Sequence, residues 1–151
     1  MYSLQEALAL PRLPAALASE TALVKAWLTD HGAKYRGFDF NVKVGHGVPL
    51  NANLPEPYLS MAIENSKRMI DVVAYWSVGI DLHEVKGRGD PCSVGQVRSY
   101  RYLWERDHPQ VPVLAAGVIC ALLDEDMRFV LDSEGLSAFV YPQLVDVIRR
   151  T

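Results

Sequence analysis

Cysteine is scarce in this chain: its 151 residues hold two, Cys92 and Cys120, and neither belongs to a CxxC or paired His/Cys spacing. That excludes a disulfide framework and a structural zinc site, and makes a reducing compartment, the cytoplasm, the expected setting. Long apolar runs are missing too. The best, Val111 to Leu123, stops at Asp124, Glu125 and Asp126, short of the roughly 20 residues a membrane span needs. The first twenty residues have no basic cluster ahead of an apolar stretch, and Glu6, Pro11 and Pro14 interrupt them, so no secretory signal is expected. Positive charge is not in excess: 15 Lys and Arg against 18 Asp and Glu give a formal net charge of −3. A polyanion partner would therefore depend on a local basic patch. No Gly-rich phosphate loop follows any expected strand, which removes support for a small-molecule enzyme on an α/β sheet.

What is present is enough for one packed domain, since half of the residues are hydrophobic. Ser19 reads as the N-cap of a helix from about Glu20 to His31, with Leu23, Val24, Trp27 and Leu28 at helical spacing and Gly32 as its stop. Tyr35 to Val44 reads as a half-buried strand, with Phe38, Phe40, Val42 and Val44 on one face and Asp39, Asn41 and Lys43 on the other. Residues 45 to 60, dense in Gly, Pro and Asn, read as a long loop. Arg68 to Trp76 and Gly79 to Lys86 make a hairpin around Ser77 and Val78. Asp90 caps, and Pro91 opens, a helix to about Asp107 whose apolar stripe is Val94, Val97, Tyr100 and Trp104. Val111 to Cys120 reads as a strand buried on both faces, 124–135 as a short helix ended by Gly135, Leu136 to Tyr141 as a last strand, and 143–150 as a final helix. That order implies an α/β fold of three layers, α/β/α, around a central mixed sheet whose second half is parallel.

The chemistry gathers on the hairpin. With Ser77 and Val78 as the turn, facing positions sum to 155, and Asp71 falls opposite Glu84. Strand alternation puts Glu84 and Lys86 on one face and Asp81, His83 and Val85 on the other. Like charges facing each other amid Ile70, Val72, Val73 and Leu82 are costly unless a cation offsets them. Lys86 is one such cation. Two carboxylates with a nearby backbone carbonyl also make the oxygen-rich site that hard divalent ions accept, which points to Mg²⁺ or Mn²⁺ and to hydrolysis of a phosphodiester.

Asp71 followed by Glu84-Val85-Lys86 on the second strand of a hairpin resembles the PD-(D/E)XK nuclease superfamily, and the helix and strand order of residues 19 to about 123 is similar to its common core. Gln96 and Tyr100, one helical turn apart, resemble the Q-x-x-x-Y signature of its RecB-like branch, and the last helix and strand are similar to the ending of Holliday junction resolvases. A departure is Ile70, where the superfamily name would put Pro. The resemblance implies a restriction-endonuclease-like domain over 1–151, with 1–18 an N-terminal extension, 19–123 the common core and 124–151 a C-terminal helix, strand and helix. It also implies that Asp71, Glu84 and the Val85 carbonyl hold Mg²⁺ or Mn²⁺, and that Lys86 positions water. Gln96 and Tyr100 would support the site, and Glu20 would add an acidic contact, although helix starts favour glutamate for capping alone.

The implied function is a metal-dependent nuclease acting on DNA and leaving a 5′-phosphate, working as a homodimer or with a helicase, repair or defence partner. The alternative is an inactive DNA-binding or assembly subunit. Arg88, Arg98 and Arg101 cluster after the catalytic strand and are the expected nucleic-acid contacts, joined by Lys34, Arg36 and Lys43, with a solvated face balanced by Glu105 and Asp107 as the opposing reading. Among the histidines only His46, in the loop, is placed to reach substrate, and His83 reads as structural.

Overall fold

The computed structural model describes residues 1–48 and 53–150. Five strands, β1 (Gly37–Val44), β2 (Arg68–Tyr75), β3 (Ile80–Arg88), β4 (Val113–Leu122) and β5 (Ser137–Val140), form one sheet in sequential order. The first three are antiparallel neighbours and the last three are parallel. Helices α1 (Leu4–Ala9), α2 (Ala18–His31) and α6 (Val145–Arg149) cover one face, and α4 (Pro91–Asp107) and α5 (Glu125–Ser133) the other. This is the expected three-layer α/β/α fold with a mixed sheet. Among the described residues no helix is long and apolar enough to cross a membrane.

The central strand shows why the layers close. In β4, Ile119 and Ala121 pack under α2 while Ala116, Val118 and Cys120 pack under α4, so an unbroken apolar run satisfies both cores. Gly117 is required there, because a Cβ would collide with the Ser137 carbonyl of β5. On the α2 side Trp27 is fully buried and meets Tyr35, Phe38, His83 and Phe139 at ring separations of 4.9 to 6.2 Å. Truncating an aromatic so enclosed costs about 3–5 kcal/mol, which makes this ring the main anchor of α2 on β3. His83 belongs to the same core, and burial, then the charges of Lys34 and His31, hold it down at about 3, so it is a neutral structural residue.

Three expectations are corrected. The helix α2 begins before Ser19: Leu17 is the N-cap, it has no side-chain oxygen to offer, and Glu20 instead reaches back to accept from the Leu17 N–H at 2.7 Å. Residues 4–9 form α1, capped reciprocally by Ser3 and Glu6, and Tyr2 pairs with Phe38 beside the sheet edge. The loop expected over 45–60 ends sooner, because α3 (Tyr58–Ser66) starts inside it; positions 49–52 of that stretch lie outside the described residues.

The third correction concerns β1. Phe38 and Phe40 pack under α2, but Val42 and Val44 pack on the α4 side, so the four do not share a face. Asn41 lies between the pairs with φ +53. Its partner strand does the same: Val72 and Ala74 face α2 whereas Ile70 faces α4, and the alternation reverses at Asp71.

Candidate active site

The hairpin has the expected register. Val72 pairs with His83, Val73 with Leu82, Ala74 with Asp81 and Tyr75 with Ile80, and Trp76 N–H bonds to the Gly79 carbonyl across Ser77 and Val78. The ladder ends there. At the next rung, Asp71 against Glu84, the Val85 N–H donates to Asp71 Oδ2 at 2.7 Å instead of to a β2 carbonyl. A carboxylate thus takes the place of a backbone acceptor, and the two strands part around it.

Glu84 and Lys86 project on the α4 side, where Lys86 Nζ lies 2.7 Å from Glu84 Oε1. The glutamate side chain is 3% exposed and the lysine 33%. The other oxygen, Glu84 Oε2, is buried without a partner. Such an orphan carries a desolvation penalty that a ligand would relieve. Asp71 is pushed up to about 7, first by burial and then by the Glu84 charge, with Glu20 adding to the same effect against the opposing Val85 N–H. Burial disfavours the Lys86 charge, yet Glu84, Asp71 and Asp90 outweigh it and hold the amine above its ordinary value. Lys86 is therefore an ammonium at neutral pH.

A cleft of about 290 Å³ collects Glu20, Asp71, Glu84, Val85, Lys86, Gln96 and Tyr100. These seven were single candidates scattered over eighty positions of sequence; the fold brings them to one opening. Gln96 Nε2 donates to Tyr100 Oη at 3.2 Å across one turn of α4, and burial followed by the Glu84 charge pushes the phenol up to about 12. It is neutral, and stays a hydrogen-bond donor. Glu20 serves both readings at once: it closes the N-terminus of α2 and lines the cleft.

Arg88, Arg98 and Arg101 are placed elsewhere. Arg88 pairs with Asp124 at 3.2 Å, Arg98 with Glu134 at 3.3 Å and Arg101 with Glu105 at 3.0 Å, and none of them lines the cleft. His46 reaches Asp107, at 3.7 Å, rather than the acidic pair. Lys34 lies over the rings of Tyr35 and Trp76. The cations that do line the cleft besides Lys86 are Lys67 and Arg68, which sequence reasoning missed. Lys67 is tied to Glu64 at 2.6 Å, and Lys43 approaches the same acid at 3.8 Å, while Arg68 is exposed with no ion-pair partner among the described residues. Their position three and four residues ahead of Asp71 was the available signal.

Among the described residues no three His, Cys, Asp or Glu side chains group into a closed metal cage. The set on offer is smaller, and it suits Mg²⁺, which keeps several waters and takes one or two carboxylates beside substrate phosphate oxygens. Two adjoining carboxylates, one with a buried unpartnered oxygen, match that donor chemistry.

No family model matches the chain, and no curated protein does. Two solved structures are similar to it. One, a protein of unknown function designated AF1548, has 13% identity and a TM-score of 0.49 over 80% of this chain and 56% of its own. The other, a repair endonuclease from Pyrococcus abyssi, has 15% identity and a TM-score of 0.45 over 84% of this chain and 49% of its own. This chain thus spans about half the length of either.

Proposed function

We propose that this chain is a nuclease that hydrolyses phosphodiester bonds in DNA with Mg²⁺ or Mn²⁺ as its resident ion. The observation that carries the reading is the meeting of Asp71, Glu84 and Lys86 in one cleft, on strands that part at that rung. Asp71, Glu84 and the Val85 carbonyl would hold the ion, which when bound supplies positive charge against the phosphate and makes water more acidic.

The rest falls to the protein. An ammonium cannot accept a proton, so Lys86 orients the attacking water and offsets the negative charge that grows on the phosphate oxygens. Of its three N–H groups one is engaged by Glu84, which leaves two for water and substrate. Tyr100, neutral and steadied by Gln96, packs beside Glu84 and keeps that carboxylate in place. Arg68 and Lys67, on the rim, are the side chains able to meet the phosphates that flank the scissile one. Attack in line with the departing 3′ oxygen would leave a 5′-phosphate.

The test is incubation of supercoiled plasmid, linear duplex, single-stranded DNA and RNA with the purified chain in Mg²⁺ or Mn²⁺, against the same mixtures in EDTA. Cleavage of DNA that depends on the ion and yields 5′-phosphate ends is the expected result. DNA binding with no cleavage in either ion would instead mark the chain as an inactive binding or assembly subunit.

A further inference from the structure

The reversal of side-chain alternation occurs on two strands at one rung. In the β1 and β2 ladder, facing positions run from Gly37 with Tyr75 to Phe40 with Val72 and resume at Val42 with Ile70, so Asn41 stands opposite Asp71. In both strands the residues on either side of this rung face opposite cores, although a regular strand would put them on one face. On β1 the reversal falls on a residue in the left-handed region, where side chains other than Asn, Asp and Gly are strained, and β2 follows it at the facing position without a positive φ of its own. Asn41, with φ +53, is that residue. Its amide also donates to the Pro14 carbonyl, in the segment that leads into α2 and Glu20. Asn41, Asp71, Glu20 and Val85 line one small cavity between α2 and the sheet, so they adjoin.

The consequence for Asp71 is direction. Were β2 regular, its side chain would stand on the sheet surface beside those of Val73 and Tyr75; at the kink it reaches in toward β3, where its Oδ2 takes the Val85 N–H. We infer that Asn41 is a positioning residue: its left-handed backbone turns Asp71 out of the alternation of β2 and onto the Val85 amide. Its effect on cleavage rests on the nuclease reading above; its effect on the Asp71 to Val85 hydrogen bond does not.

Native-state amide exchange of the metal-free wild type, Asn41→Gly and Asn41→Ala separates the two. Glycine takes positive φ without strain and loses only the tether to Pro14, whereas alanine loses the tether and is strained at positive φ. Asn41→Ala is expected to lower protection of the Val85 amide roughly tenfold or more, with the His83 amide two residues earlier, on the rung shared with Val72, left close to wild type. Asn41→Gly should keep Val85 protected. In cleavage assays the alanine variant should lose roughly 10²-fold in kcat with KM little changed, and glycine should restore most of it. Unchanged Val85 protection in Asn41→Ala, an equal loss at His83 and Val85, or a glycine variant as impaired as alanine would each overturn the inference. If the wild type cuts nothing, the exchange pattern still decides it.

Discussion

Lys86→Ala is expected to stay folded and to lose DNA cleavage by about 10²–10⁴-fold, the range that a positioned proton-handling or charge-stabilising group contributes. The fold survives because a third of the lysine is exposed and the polar contact removed is its ion pair with Glu84. Leaving the buried Glu84 unpaired costs up to about 3–5 kcal/mol, still below most of the 5–15 kcal/mol range typical of a domain. Circular dichroism and a plasmid nicking time course, run on the variant and the wild type together, check both halves. Full activity in Lys86→Ala would reject the role given to the amine.

Asp71→Asn should do two opposite things, removing cleavage and stabilising the metal-free protein above neutral pH. The folded pKa of Asp71, about 7, lies above its ordinary value of 3.8, because burial and Glu84 oppose its charge. The stability this carboxyl contributes is therefore present when it is protonated, below about pH 4, and is lost as pH rises through 7. A difference of about three pKa units corresponds to roughly 4 kcal/mol at most, shared with Glu84. Asparagine keeps an oxygen for the Val85 N–H and carries no charge, so it escapes that loss. Thermal melts in EDTA should show the variant level with the wild type near pH 4 and well above it at pH 8. A variant that is less stable at pH 8 would mean that the acidic pair is not held together by the fold at a cost.

The rung of Asp71 and Glu84 was legible because it depends on two local rules. A two-residue turn fixes the register of a hairpin, which set Asp71 opposite Glu84, and alternation along β3 put Lys86 on the face of Glu84. The helix α4 was equally plain, since Asp90, Pro91 and the stripe of Val94, Val97, Tyr100 and Trp104 all mark the same span. Two short helices were not. In α1 the six residues are too few for a periodic signal to stand out, and α3, no shorter than the legible α5, buries none of its side chains and so carries no core-facing stripe. The kink at Asn41 and Asp71 was hidden because a sign change in φ leaves the pattern Phe38, Phe40, Val42, Val44 looking regular.

Charge placement was the least readable feature. Arg88 and Arg98 look free in sequence, yet each meets an acid 36 positions away, at Asp124 and Glu134. Of the three arginines, Arg101 alone meets its acid, Glu105, within one helical turn. Tertiary pairing sets Arg88 and Arg98 against acids, and among the described residues the cleft cation with no ion-pair partner is Arg68, which no motif had singled out.

The central claim is that two acids on adjoining strands act as one ion site. Isothermal titration of Mn²⁺ into the wild type and into Glu84→Gln tests it most directly. The wild type should bind one ion per cleft, and the glutamine variant, folded to the same degree, should show no corresponding heat. Indistinguishable isotherms for the two proteins, or no binding by the wild type, would contradict the account.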